Sequence, residues 1–363
     1  MSLVHQIALT LIKNVGSRQA KKLLLALGDA ESVFNANRAQ LLEIEGIGEK
    51  IATCILSTDA VAKAEKQINF IKKHDIEVLF YTDIKYPKRL RNCYDSPILL
   101  YFKGNVDFNH TRIVSIVGTR NATAYGKELC KKLVEMLVPH DVLIISGLAY
   151  GIDVTAHAES INCQIPTVGV LGHGLDRIYP LAHTAIARDM VAHGGLLTEF
   201  LPGTKPDKEN FPKRNRIIAG VCDVLVVIEA SSKGGALITA DIANSYARDV
   251  YAFPGRTTDP YSEGCNFLIK TNRAGLINHP KDLIYNLAWE EVKPKKEEVQ
   301  AQLPLNLTPL ERQIVQVLKA CEMGVDELSM KTSLSLSTLA MALLTLEMLG
   351  IVICLPGKRY QLA

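Results

Sequence analysis

At 363 residues the chain is too long for one ordinary hydrophobic core, so two or three domains are expected. With 48% hydrophobic and 22% charged residues its composition is globular and excludes bulk disorder. A net charge of +3 is weak ground for a polyanion partner, although a local basic groove fits beneath a near-neutral total.

Residues 1–57 read as helices alone. Two stretches echo each other, residues 11–24 (LIKNVGSRQAKKLL) and residues 42–56 (LEIEGIGEKIATCIL), with Gly16 aligned on Gly48. Each reads as helix, short hairpin, helix, and the second resembles the helix-hairpin-helix motif through Gly46-Ile47-Gly48. Glycines let the backbone turn tightly and bare N–H groups at a helix start, where a phosphate can sit. Lys50, or Lys21 and Lys22 in the first copy, would add charge; a helical packing module that touches no nucleic acid is the equal alternative. Asn14 stands where the second copy has its leading glycine.

Residues 58–290 alternate apolar strands with amphipathic helices. Continuous apolar runs at 113–117, 142–145, 167–171 and 224–228 suit strands buried on both faces. That pattern predicts a Rossmann-like α/β core with a parallel sheet, and the lead-in at 76–102 adds edge strands. Residues 291–306 are charged, proline-bearing and aperiodic, which predicts a linker. Residues 307–363 predict a winged helix. Thr308-Pro309-Leu310-Glu311 is a helix start with a capping box, three helices follow, and residues 351–362 form a hairpin around a Pro-Gly turn.

Chemistry concentrates in polar, glycine-rich segments at the expected strand ends, where open parallel sheets bind ligands. They are Gly118-Thr119-Arg120, residues 146–153 (SGLAYGID) with His157 beyond, residues 210–218 (NFPKRNRII), and residues 229–240 (EASSKGGALITA). Residues 252–255 (AFPG) and 264–269 (GCNFLI) come after. Read alone, these loops suggest a phosphate-backbone ligand. Gly118, Gly147 and Gly234-Gly235 permit close approach, and Arg120, Lys208, Arg214 and Arg216 supply charge, with arginine's planar fork suited to phosphate oxygens. Phe211, on a loop fixed by Pro212, offers a stacking face that tolerates any base. Asn215 suits a base or a sugar, and Ser146 opens the second loop. Bland alternatives stand beside these: an internal ion pair for Arg214 or Arg216, a buried plug for Phe211, local packing for Asp153 and His157, and loop anchoring for Glu199 and Glu229.

In order and content the set SGLAYGID, FPKRNRIIAG, GGALITA with AFPG, and GxNxLI resembles the DNA-processing protein A family. GGALITA stands where SGALITA is common in that family. The resemblance implies an extended Rossmann-like core that binds and protects single-stranded DNA, and that helps load RecA recombinase during natural transformation and recombination. It further implies a cytoplasmic homodimer and no catalytic role, and it maps Arg120, Lys208 and Phe211 onto DNA-contacting positions.

Rival readings lack their signatures. Gly118-Thr-Arg-Asn-Ala-Thr lacks the dinucleotide fingerprint G-x-G-x-x-G. Residues 234–241 (GGALITAD) faintly resemble the PGGxGTxxE loop of lysine-decarboxylase-like nucleotide hydrolases, with Asp241 at the glutamate, but Leu237 and Ile238 replace the inner glycine and threonine. The eight cysteines contain no CxxC pair, so zinc and thioredoxin-like readings both lack their spacing, and no metal or cofactor is expected. No signal pattern or apolar run near a membrane span is found, which predicts a soluble intracellular protein. The third helix of the winged helix, residues 337–349, has no lysine or arginine, and only Lys358 and Arg359 are basic on the wing. A docking or dimer-packing role is therefore favoured there over duplex recognition.

Overall fold

A computed structural model describes residues 2–289, 307–319, 322–355 and 358–362, in two compact units, Met1–Val292 and Lys293–Ala363. The expected linker at 291–306 and the Pro356-Gly357 turn lie outside the described residues.

The first unit opens with the expected pair of hairpins. Helices Ser17–Leu27 and Glu49–Leu56 are capped by Gly16 and Gly48, whose backbones nearly coincide (φ −89°, ψ 178° and φ −93°, ψ 177°). Two residues before each cap the chain turns left-handed, at Asn14 (φ 64°) and at Gly46 (φ 85°). Asparagine tolerates that region better than most residues, so Asn14 does the glycine's work and the two copies are equivalent in structure. The copies are laced together: Lys22 Nζ donates to the Glu45 carbonyl at 3.0 Å, and Asn14 Nδ2 reaches Cys54 Sγ at 3.4 Å. Lys21 is not free for a phosphate. Its ammonium donates to Ser96 Oγ at 2.6 Å and the Cys93 carbonyl at 3.3 Å, and lies 4.7 Å from the Tyr81 ring centre.

The buried faces of these helices, with Ile7, Leu23, Leu41 and Ile55, form one apolar cluster with Phe80, Leu99 and Tyr101 of the adjoining sheet. That sheet has nine strands among the described residues: β1 (Glu77–Phe80), β2 (Leu99–Gly104), β3 (Ile113–Val117), β4 (Leu143–Ser146), β5 (Thr167–Val170), β6 (Gly194–Thr198), β7 (Val224–Val227), β8 (Asp249–Ala252) and β9 (Gly275–Leu276). Their spatial order is β1-β2-β6-β5-β4-β3-β7-β8-β9. Pairing from β6 through β9 is parallel, and β1 and β2 form the antiparallel edge. Every residue of β3, β4, β5, β6 and β7 is buried, because helices cover both faces.

The second unit is a winged helix. Helices Pro309–Leu318, Val325–Thr332 and Leu336–Met348 pack beside β10 (Met323–Gly324), β11 (Val352–Leu355) and β12 (Arg359–Leu362), in sheet order β10-β12-β11. The predicted capping box is present: Glu311 N donates to Thr308 Oγ1 at 3.3 Å, and Thr308 N donates to Glu311 Oε2 at 2.8 Å. Met341, Leu344 and Met348 are exposed on the third helix.

Candidate nucleic-acid interface

Strand order decides where the site forms. From β3 the chain runs through β4 and β5 to β6 on one side, then returns to build β7, β8 and β9 on the other. Loops leaving the carboxyl ends of neighbouring strands diverge at that reversal and open a crevice. A cleft of about 680 Å³ lies there, lined by Gly118 and Arg120 after β3, Ala149 and Asp153 after β4, Tyr179, Lys208, Phe211, Arg214 and Asn215, and Gly234 after β7.

Phe211 is one of its lining residues. Residues 210–218, expected as a loop, are instead the start of helix Asn210–Val221. Pro212 is tolerated because the first turn needs no intrahelical N–H donor. The Phe211 ring is half-buried rather than a core plug. The Arg120 guanidinium sits 5.4 Å from its centre, that of Arg214 5.9 Å, and the Tyr179 ring 6.1 Å. Arg120 and Lys208 are exposed and have no ion-pair partner among the described residues. Asn215 is half-buried on the cleft wall.

Arg214 touches the ring yet is largely a structural cation. It is 4% exposed, and its Nη1 donates to the Gly147 carbonyl at 2.6 Å and to the Val170 carbonyl. Burial pushes its pKa down to about 10, which Asp153 opposes, so it stays charged at neutral pH. Burial pushes Asp153 up from the usual carboxylate range, with Arg214 pulling the other way. A Cβ on Gly147 would meet Arg214 Nη1 at 2.3 Å and Asp153 Oδ2 at 2.6 Å, so this glycine makes room for the two charges. Gly118 is likewise a packing glycine: a Cβ there would lie 2.5 Å from Ile152. Gly234 is different, with nothing closer than 3.4 Å to a Cβ, and it caps helix Gly235–Ser245 at the cleft rim.

Three expected site residues do not line the cleft: Gly147, which makes room for the two charges, and Arg216 and Ser146. Arg216 bonds to Glu199 and to the Asp95 carbonyl, which makes it the internal partner. Ser146 is fully buried and donates to the Ile116 carbonyl at 2.6 Å, stitching β4 to β3. His157 is also interior: its Nδ1 sits 2.7 Å from Thr167 Oγ1, and burial pushes its pKa down to about 3. Glu229 anchors a loop, accepting from Thr123 N at 2.9 Å and Thr123 Oγ1 at 2.5 Å. Among the described residues, the only acid on the cleft wall is Asp153. Asp241, the acid a hydrolase reading needs, is held by Arg273 at 3.1 Å and is absent from that wall. Tyr179 lines the cleft without having been singled out; the signal for it was an aromatic followed by proline, the same pattern as Phe211-Pro212.

Comparison with known proteins agrees with this architecture. The family description "DNA recombination-mediator protein A" matches residues 77–288, a DprA winged helix domain matches 298–358, and a helix-hairpin-helix motif matches 7–68. Protein Smf of Synechocystis sp. is 31% identical over 393 residues, covering 98% of each chain. DNA processing protein DprA of Streptococcus pneumoniae is 40% identical over 200 residues, 55% of this chain and 70% of that one. The X-ray structure of DNA processing protein A from Streptococcus pneumoniae aligns at TM-score 0.69 and 30% identity, over 80% of this chain and 99% of its own. The Helicobacter pylori DNA processing protein A, solved for its single-stranded DNA binding mode, aligns at TM-score 0.54 and 27% identity, over 59% of this chain and 97% of its own. A family match over more than half of the sequence and a relative alike from end to end lead to one conclusion: the chain belongs to the DNA recombination-mediator protein A family, whose curated members are named DprA or Smf.

Proposed function

We propose that this protein binds single-stranded DNA in the strand-end cleft, protects it, and helps load RecA recombinase during transformation and recombination, as a cytoplasmic homodimer. The observation that carries the reading is the half-buried Phe211 ring with Arg120 beside it and Lys208 three residues upstream. A base stacks on the ring while Arg120 and Lys208 hold the flanking phosphates. Stacking needs no particular base, and exposed cations without partners suit a backbone that is charged at every step. Arg214 and Asp153 support the platform from beneath. In this reading residues 58–290 carry the binding core, and residues 1–57 and 307–363 are accessory modules.

A salt-dependent titration with single- and double-stranded oligonucleotides tests the reading. The protein should prefer the single strand, and Arg120→Ala or Lys208→Ala should each lower the salt slope by roughly 0.7. Unchanged affinity and slope in folded variants would overturn it.

A further inference from the structure

A second cleft opens on the other side of Arg120, about 560 Å³ in volume, walled by Arg120, Asn121, Lys127, Tyr150 and Thr155. No acid lines it, and neither Arg120 nor Lys127 has an ion-pair partner among the described residues. Tyr150 is 50% exposed, a large share for an aromatic. Its ring packs edge-on against His183 at 4.9 Å, and His183 in turn donates from Nδ1 to the Leu148 carbonyl at 2.9 Å.

The loop that presents Tyr150 is held in an unusual shape. Leu148 is fully buried with φ 59°, a left-handed conformation rare for a branched residue. Gly151 has φ 79°, and a Cβ there would lie 2.2 Å from the Thr119 carbonyl oxygen and 2.6 Å from that of Arg120. Ile152 N also donates to the Thr119 carbonyl at 3.2 Å. The Tyr150 loop and the Arg120 loop are thus docked backbone to backbone. Backbone held in sparsely populated regions by its surroundings collects where a binding surface is fixed in advance.

We propose that this cleft is a second nucleotide seat. It takes the base and phosphate adjoining those at Phe211, so that one strand crosses Arg120 with a base on each of two aromatic platforms. The proposal rests on the single-stranded DNA reading above. Tyr150 supplies the second stacking face, Lys127 a further phosphate contact, and Arg120 the cation shared between the seats.

Photocrosslinking with 5-iodouracil-substituted oligothymidylate, read by peptide mass spectrometry, tests it on the full chain. Adducts are expected at both Phe211 and Tyr150. Tyr150→Ala should weaken oligothymidylate binding about 5- to 150-fold, the range equivalent to 1–3 kcal/mol of stacking per base, with its salt slope unchanged. Tyr150→Phe should keep the affinity, and Lys127→Ala should lower the slope by about 0.7. Adducts at Phe211 alone, with full affinity in Tyr150→Ala and an unchanged slope in Lys127→Ala, would overturn the second seat and leave the first intact. Adducts at neither aromatic, with Arg120→Ala also silent, would overturn the underlying reading instead.

Discussion

Asp153→Asn is the most informative single change, because it separates the support of the cleft from its surface. The substitution keeps the volume of the side chain and removes its charge. Asp153 is 8% exposed and Arg214 4% exposed, and both crowd the space over Gly147. Among the described residues, Asp153 is the carboxylate that acts on the Arg214 charge, while Arg120 opposes that charge. Removing one partner of a contacting buried ion pair costs about 3–5 kcal/mol, since it strands the other charge. Asp153 and Arg214 act on each other at longer range and Arg214 retains its two carbonyl acceptors, so the expected cost is smaller, about 2 kcal/mol. At about 2–4 °C per kcal/mol for a unit of this size, the melting point should fall by about 4–8 °C. Arg214→Met with Asp153→Asn should cost less than the two single changes summed, by about 1 kcal/mol or more. Differential scanning calorimetry and urea titration read both quantities. Below the melting point, oligothymidylate affinity should hold or rise, because a negative charge has left the wall. A shift within about 2 °C, or strict additivity in the double variant, would refute the buried-pair argument.

Phe211→Ala should weaken oligothymidylate binding about 5- to 150-fold without moving the salt slope, while Phe211→Trp retains most of the affinity; fluorescence anisotropy at several salt concentrations checks both. Because the ring is half-buried, its stability cost should stay below the roughly 3–5 kcal/mol of a core phenylalanine, and a larger loss with intact binding would make Phe211 core. His157 contributes an acid-side slope. Its folded pKa is about 3 against an ordinary 6.5, so as pH falls below 6.5 the unfolded chain takes up a proton that the folded protein refuses. Stability from this group is full above pH 6.5 and drains towards pH 3 at on the order of 1.4 kcal/mol per pH unit. His157→Gln should flatten that slope in urea titrations run between pH 7 and pH 4, and an unchanged slope would show that the ring titrates normally.

Strands buried on both faces announce themselves as unbroken apolar runs, and β3, β4, β5 and β7 were legible for that reason. β6 was legible only at its end, where Glu199 closes a strand, because its start, Gly194-Gly195, reads as a turn. Its glycines answer to neighbours far off in the chain: a Cβ on Gly194 would lie 1.9 Å from the Thr167 carbonyl oxygen, and one on Gly195 would strike Phe102 at 2.3 Å. Helix Asn210–Val221 was hidden by the polar, proline-bearing start of its sequence. Which of the two arginines lines the cleft was equally invisible. Arg214 and Arg216 are two residues apart, yet one is claimed by Gly147 and Val170 and the other by Glu199 and Asp95. Such assignments belong to the tertiary fold, whereas Arg120 and Phe211 were marked by residue type and position alone.

The reversal of strand order beside β3 has a consequence for how folding and ligand occupancy depend on each other. Val114 pairs with Val224, and the cleft wall draws on segments from Val117 to Thr239, so no short stretch of chain holds a partial site. Such non-local parallel pairing forms slowly and late. A ligand in the cleft therefore has affinity only for the assembled sheet, and by mass action it stabilises the entire unit by about 2.7 kcal/mol at a hundredfold excess over its dissociation constant. Slowed proteolysis of regions remote from the cleft, even at the β9 edge, would then serve as a gauge of occupancy.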